Sequence, residues 1–280
     1  MTMQVVKTIA EVRQIRWADS TLMWGLVPTM GALHEGHLAL VRQALAENDR
    51  VGVSIFVNPI QFNRRDDLEK YHRPLERDLN MLRAEGVHVV WTPDGAEMYP
   101  AGFQTYVSVE NVTQVLEGAA RPGHFRGVAT VVAKLFNVFQ PTRAYFGQKD
   151  AQQVAVIRQM VRDLAFNLEV IACPTLREWD GLAMSSRNIR LNPTEREAAP
   201  VLYRALMAAQ NEWQVGHRDA EHLRATMREI IKGEPLTKID YVSVADPISL
   251  QELEGPAEKA LLSLAVFLGE VRLIDNIVIG

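Results

Sequence analysis

From residue 20 to about residue 172, short apolar runs of β type alternate with segments whose apolar residues recur at helical spacing. The runs are Leu22 to Pro28, Val51 to Val57, Val87 to Trp91, Ala144 to Phe146 and Leu168 to Ala172. Between the first two, Leu38, Val41, Ala44 and Leu45 fall at offsets of 3, 6 and 7, which lays them on one face of a helix. Pro74 opens another helical segment carrying Leu75, Leu79 and Leu82. Gly127 to Phe139 is apolar almost all round, with Lys134 the exception, and reads as a buried helix. Strands alternating with helices in this way predict a parallel sheet covered by helices.

Beyond the polar stretch Pro174 to Asn188 the pattern changes. Asn192-Pro193 is a helix-start signal, and Glu195 to Trp213 and Asp219 to Lys232 read as amphipathic helices. Strands are expected from Ile239 to Val244 and from Ala260 to Phe267. The division this suggests is a larger α/β domain over residues 1–176 and a smaller α+β domain over residues 177–280. No internal repeat or low-complexity tract interrupts it.

Composition narrows the class. The 280 residues are 48% hydrophobic and 23% charged, enough to bury cores without covalent staples. A net charge of -4 supplies no basic field, so no nucleic-acid partner is expected. Cys173 is the single cysteine, which excludes an intramolecular disulfide and a cysteine-built zinc site and fits a reducing, cytoplasmic setting. Met1 to Arg16 carries Lys7, Glu11, Arg13 and Arg16 and lacks the apolar run of a secretion signal. Leu261 to Gly269 is about half the ~20 residues a bilayer span requires, so no membrane partner is expected.

Three polar constellations interrupt the apolar pattern. Pro28-Thr29-Met30-Gly31-Ala32-Leu33-His34-Glu35-Gly36-His37 lies where a strand ends and a helix begins. Such a helix start offers unpaired N–H groups and partial positive charge to a phosphate. His34 and His37, three apart, share a helical face and can both donate to phosphate oxygens; a capped helix with two solvated histidines is the plain alternative. A zinc site would need a third ligand that Glu35-Gly36-His37 does not supply at HExxH spacing. Phe146-Gly147-Gln148-Lys149-Asp150 repeats the strand-to-helix placement, with a lysine for phosphates and an aspartate for ribose hydroxyls, yet matches no Walker motif. Asp180-Gly181-Leu182-Ala183-Met184-Ser185-Ser186-Arg187-Asn188 strings two hydroxyls and a guanidinium into an anion clamp, beside a methionine able to pack on a flat base. Val57-Asn58-Pro59-Ile60-Gln61-Phe62 and Arg121-Pro122-Gly123-His124-Phe125-Arg126-Gly127 add neutral and basic polar groups. Asn58 and Gln61 suit a hydroxy acid. No GxSxG elbow occurs, which leaves a serine hydrolase unsupported.

Taken together the segments resemble the nucleotidyltransferase superfamily in which an HxGH motif and a later KMSKS-like loop grip ATP. PTMGALHEGH, FVNPIQF, RPGHFRGV, YFGQKDAQQ and DGLAMSSRN stand in the order and spacing of the pantothenate synthetase family, and the likeness continues to Arg272-Leu273-Ile274-Asp275-Asn276. That resemblance implies a Rossmann-like, doubly wound parallel-sheet domain, with the smaller domain closing over the ATP site. It implies condensation of pantoate with β-alanine through a pantoyl adenylate formed from ATP with Mg2+, whose protein ligands stay unassigned, by a homodimer.

By the same resemblance ATP lies along Met30, Gly31, Ala32, Leu33, His34, Glu35, Gly36 and His37. Gly147, Gln148, Lys149 and Asp150 serve ribose and phosphate, Leu176 the base, and Met184, Ser185, Ser186 and Arg187 close over the phosphates. Gln61 and Gln153 hold pantoate, Gln61 also reaching β-alanine. His34, His37, Asn58, Lys149, Ser185, Ser186 and Arg187 are the expected catalytic residues, His37 as proton donor. Val271 stands where the family usually has threonine and His72 where it has proline, and because of His72, Tyr71, Arg73 and Asp78 are left outside the carried-over site. Rival classes are an adenylyltransferase acting on a phosphate ester, which would call for more positive charge than Gln61 and Gln153 bring, a non-catalytic ATP-binding module, and an aminoacyl-tRNA ligase.

Overall fold

A computed structural model of the chain describes residues 2–62, 68, 71 and 74–280. By backbone contacts the chain divides into two units, Met1–Gly147 with Val156–Cys173, and Gln148–Ala155 with Pro174–Gly280.

Unit 1 is built on six strands: β1 (Gln4–Val6), β2 (Trp24–Thr29), β3 (Arg50–Ile55), β4 (Val89–Trp91), β5 (Arg143–Gly147) and β6 (Glu169–Cys173). They lie in the order β1-β4-β3-β2-β5-β6, and every pairing is parallel. The expected apolar runs end within two residues of the five strands they predicted. Parallel strands buried on both faces read as continuous apolar runs, which is why these were visible. The three-residue β1 and the helix α1 (Ile9–Trp17) were not expected. Thr8 caps α1 by accepting from the Glu11 N–H, while the Glu11 carboxylate accepts from the Thr8 N–H.

The crossovers carry α2 (Glu35–Glu47), α3 (Leu75–Glu85), the short α4 (Gly95–Met98) and α5 (Leu116–Ala120), and α6 (His124–Phe139). Leu38, Val41 and Ala44 of α2 and Leu79 and Leu82 of α3 pack with Val27, Val53 and Val90 in one core. The buried α6 begins three residues before the apolar run that predicted it. Its Phe136 and Phe139 make edge contacts with Phe146 and Trp91. Gly52 is required on β3 because a Cβ there would overlap the Phe139 ring. His72, the departure from the family pattern, lies outside the described residues.

Chain order reverses direction in the sheet at β2, with β3 and β4 to one side and β5 and β6 to the other. In open α/β sheets the carboxyl ends of the strands at this switch point are where ligands bind. Here those ends are Thr29 and Gly147.

Helix α7 (Ala151–Asp163) leads from the first turn of unit 2 back into unit 1. The rest of unit 2 holds α8 (Pro193–Ala198), α9 (Val201–Gln214) and α10 (Ala220–Lys232), and an antiparallel sheet ordered β7 (Thr237–Ala245), β8 (Ala260–Leu268), β9 (Val271–Ile279). Leu202, Leu206, Leu223, Met227 and Ile231 pack with Leu262, Leu264, Val266 and Leu273. The single helix expected over Glu195 to Trp213 is instead two, α8 and α9, divided at Pro200, where the ring removes the backbone donor an unbroken helix needs. Strand β9 was not expected either, because its buried positions include Asp275 and Asn276. Among the described residues no helix is long and apolar enough to cross a membrane.

Candidate active site

In unit 1, β2 ends at Thr29 and α2 begins at Glu35, leaving Met30 to His34 as the connection. Two successive residues of it, Gly31 (φ 81°) and Ala32 (φ 52°), take left-handed backbone. A non-glycine residue there is uncommon and must be held by its surroundings. The holder is Asp78, in the first turn of α3 and buried. Its carboxylate accepts from the Ala32 N–H at 2.7 Å and the Leu33 N–H at 2.9 Å, while Thr29 Oγ1 accepts from the Gly31 N–H at 3.3 Å. Left outside the expected site, Asp78 thus shapes the segment on which the nucleotide is expected to lie.

His34 caps α2 with extended backbone, and the ring centroids of His34 and His37 stand 4.0 Å apart. The His34 N–H donates to His37 Nδ1 at 3.3 Å. With Nδ1 accepting, the neutral ring carries its proton on Nε2, so His37 is set as an Nε2–H donor. Glu35, by contrast, is exposed and paired with Arg42 at 2.9 Å.

A second chain of contacts in unit 1 begins at Tyr99. Its hydroxyl, whose pKa burial pushes well above the ordinary value, donates to Asn58 Oδ1 at 2.8 Å. Asn58 Nδ2 then donates to the Gly127 carbonyl at 3.1 Å and to Gln61 Oε1 at 2.9 Å, and Gln61 Nε2 donates to Met30 Sδ at 3.1 Å. The Gly127 carbonyl can only accept, which fixes the Asn58 amide with its oxygen toward the Tyr99 hydroxyl and, through Asn58, orients Gln61. Gln61 therefore turns its NH2 away from Asn58. A thioether is a weak acceptor, so a carboxylate or hydroxyl oxygen displaces it at little cost. His124 Nδ1 stands 2.8 Å from the Gln61 carbonyl, bracing the 3-10 turn Pro59–Gln61 from α6. Gly127 permits that closeness, since a Cβ would lie 2.6 Å from the Ile60 carbonyl oxygen.

Gly147 ends β5 in unit 1, and unit 2 carries Gln148 to Asp150, Gln153, Leu176 and Met184 to Arg187, with β9 touching both the lysine turn and the hairpin. Gln148–Asp150 is a 3-10 turn in which the Lys149 ammonium stands 3.5 Å from an Asp150 carboxylate oxygen. Asn276 Nδ2 donates to the Gln148 carbonyl at 3.0 Å and the Lys149 carbonyl at 2.8 Å, and Gln148 Nε2 donates to Asn276 Oδ1 at 3.2 Å. Gln153 is half-buried on the first turn of α7, beside the buried Gln152.

Leu176 to Met184 forms a narrow hairpin. The Met184 N–H donates to the Leu176 carbonyl at 3.0 Å, Arg177 bridges Ala183, and Gly181 turns the tip at φ 92°, where a Cβ would meet the Tyr203 ring. The hairpin is pinned from three sides. Arg177 grips the buried Asp275 of β9 with two bonds of 2.6 and 3.0 Å, its guanidinium lies 4.0 Å from the Tyr203 ring centroid, and Arg196 of α8 binds Glu178 and Asp180 at 2.6 Å each. Ser185, Ser186 and Arg187 follow directly, with Arg187 exposed. Neighbouring strand residues Asp275 and Asn276 thus hold the hairpin and the lysine turn respectively. Neither residue had been expected in the site.

A divalent ion accompanying the nucleotide finds few uncommitted carboxylates along these segments. Glu35 and Asp150 stand in ion pairs, and both Asp78 oxygens accept from backbone amides. This donor set suits Mg2+ held chiefly by triphosphate oxygens and water rather than by a protein cage.

Comparison with known proteins gives one consistent answer. The family model described as pantoate-beta-alanine ligase matches residues 4–278. The pantothenate synthetase of Herpetosiphon aurantiacus is 60% identical over 279 residues, covering 99% of this chain and all of that one. That of Moorella thermoacetica is 53% identical over 279 residues and 99% of both chains. Among solved structures, pantothenate synthetase from Thermus thermophilus superposes with a TM-score of 0.93 at 48% identity, over 98% of this chain and 99% of that one. The pantoate-beta-alanine ligase of Francisella tularensis, solved in complex with "Beta-gamma ATP and Beta-alanine", gives 0.82 at 36% identity over 98% and 97%. Matched end to end by the family model and by relatives at this level of identity, the chain belongs to the pantoate–β-alanine ligase family.

Proposed function

We infer that the chain condenses pantoate with β-alanine at the expense of ATP. What carries the reading is the position of His34-Glu35-Gly36-His37, at the switch-point end of β2 in a chain of this family. A pantoate carboxylate oxygen attacks the α-phosphorus, the bond to the β-phosphate breaks, and pyrophosphate leaves. The β-alanine amine then attacks the acyl carbon of the pantoyl adenylate, the bond to the phosphate oxygen breaks, and AMP leaves as the nitrogen gives up a proton.

Each side chain has a task within that scheme. The segment Met30 to His37 receives the nucleotide, with His37 Nε2–H and His34 directed to phosphate oxygens. Charge that builds on the phosphates during adenylyl transfer is met by Lys149, Ser185, Ser186 and Arg187, with Gly147, Gln148 and Asp150 at ribose and phosphate and Leu176 and Met184 at the base. Preorganised donors of this kind stabilise a transition state without reorganising during the step. Gln61 offers its outward amide to the oxygens of pantoate, and then to β-alanine, held in orientation by Asn58; Gln153 is the second pantoate group. Mg2+ bound to the triphosphate oxygens would offset the charge of the nucleotide that these residues hold. A homodimer and a reducing, cytoplasmic setting, consistent with one buried cysteine, complete the proposal.

The test is product analysis. Pyrophosphate and AMP release from Mg-ATP is measured with pantoate, with and without β-alanine, and the organic product is weighed by mass spectrometry. Multiple turnovers only with both acceptors, giving pantothenate, AMP and pyrophosphate, support the scheme. ADP formation, or turnover indifferent to pantoate, overturns it.

A further inference from the structure

Unit 2 carries a second cluster of chemically capable side chains that the ligase scheme does not use. Glu212 stands in the last turn of α9, His217 in the turn that follows, and His222 in the first turn of α10. His217 Nδ1 lies 2.5 Å, and His222 Nε2 2.9 Å, from the same carboxylate oxygen of Glu212, and the three ligand atoms fall within 4.8 Å of one another. The two rings meet edge to face with centroids 5.3 Å apart. Among the described residues this is the one group of three histidine, cysteine or acidic side chains that converges so closely.

The backbone beneath the cluster is fixed. Gly216 takes left-handed backbone at φ 103°, and the His217 N–H reaches back to the Glu212 carbonyl at 3.0 Å, closing α9. Asp219 caps α10 by accepting the His222 N–H at 3.0 Å, so its carboxylate is committed to the helix end. Two ligands are thereby tied to each other through main chain, and the third is set by the cap.

We propose that Glu212, His217 and His222 form a binding site for a divalent transition-metal ion, zinc in the first instance, that clips the end of α9 to the start of α10. Two imidazole nitrogens and one carboxylate oxygen are the donors zinc takes at about 2.0 to 2.2 Å. Neighbouring ligand atoms around such an ion sit about 3.3 Å apart, so the ion enters when the Glu212 oxygen withdraws by about 0.8 Å from the His217 nitrogen and about 0.4 Å from the His222 nitrogen. As the metal bonds form, each neutral ring passes its proton through solvent from the liganding nitrogen to the opposite ring nitrogen, so that both imidazoles ligate in the neutral form. The half-exposed rings leave the other coordination positions to water. Nitrogen-rich donors favour zinc, nickel and copper over magnesium and calcium, so magnesium supplied with ATP does not compete.

The full chain, stripped with chelator, is titrated with Zn2+ alone by calorimetry, and with Co2+ while the visible spectrum is recorded. The parent should take up one ion per chain at this cluster, with a cobalt spectrum of mixed nitrogen and oxygen ligation and a melting midpoint raised by zinc. His217→Ala and His222→Ala should each weaken that binding at least tenfold. Glu212→Gln keeps an acceptor for both rings and so preserves the turn, yet supplies a poor ligand, and should weaken binding as well. Absence of binding in the parent, or binding of unchanged strength in a His217→Ala/His222→Ala double variant or in Glu212→Gln, overturns the proposal. Ligase turnover with Mg-ATP should be unaffected in all of them.

Discussion

At the scale of single residues, the chemistry of the site is set by groups that orient other groups. Removing Lys149 or His37 as alanine should lower kcat on the order of 10²- to 10³-fold, the cost of losing one placed donor to a charged transition state, as read in steady-state turnover. Tyr99 acts one step further back. Tyr99→Phe leaves Asn58 Oδ1 without its donor and loosens the Asn58–Gln61 pair, so the KM for pantoate should rise about fivefold, the equivalent of one ~1 kcal/mol hydrogen bond, with the KM for ATP near the parental value. Asp78→Ala removes two charge-assisted bonds to a left-handed turn and should raise the KM for ATP about tenfold or more while lowering unfolding stability by roughly 2 to 3 kcal/mol. His88 gives the chain a pH signature. Burial, with Arg50 near it, holds its imidazole below the ordinary value, and Nδ1 accepts the Val51 N–H at 3.1 Å. The unfolded chain, titrating near ~6.5, then binds more protons than the folded one as acid is added, so the stability present above that pH is lost as pH falls through it toward the lower folded value. Urea midpoints between about pH 7.5 and about pH 5.5 should drop in the parent and drop less in His88→Asn, whose oxygen accepts the same N–H without titrating.

At the scale of elements, packing decides where the polar groups can stand. The 3-10 turn that carries Gln61 lies against α6 with no room for a methyl at Gly127. Gly127→Ala must push the turn outward, and should raise the KM for pantoate about tenfold with little change for ATP, since misplacement by even an ångström is costly to orientation. Elements were legible in the sequence where burial is apolar and continuous, as in the five strands that gave apolar runs and in α6. They were hidden where burial is polar or the element is short. Strand β9 buries Asp275 and Asn276 among its apolar residues, and β1 spans three residues. The histidines and the lysine proposed to meet the nucleotide could be named from the sequence because local motifs carry them. Tyr99 and Asn276 were not, because they meet their partners across 41 and 128 residues of chain, a relation no local spacing encodes, and Asp78, which acts across 46 residues, had been set aside because of the nearby His72.

At the scale of the whole molecule, each of the two units keeps a hydrophobic core of its own. The core of unit 2 should feel a cavity sharply: Leu206→Ala, fully buried in α9, is expected to cost about 2 to 5 kcal/mol, measured by denaturant unfolding. The same unit closes on itself through a long excursion of the chain. The lysine turn at Gln148–Asp150 is tied by Asn276, which lies 128 residues later, and the hairpin through Arg177 waits on Asp275. A ribosome adding about 5 to 20 residues each second needs roughly 6 to 26 seconds to travel from one partner to the other. Throughout that interval the turn that carries Lys149 exists without the strand residue that ties its backbone. The lysine turn and the hairpin therefore gain their ties only when the last strand of the chain has been made.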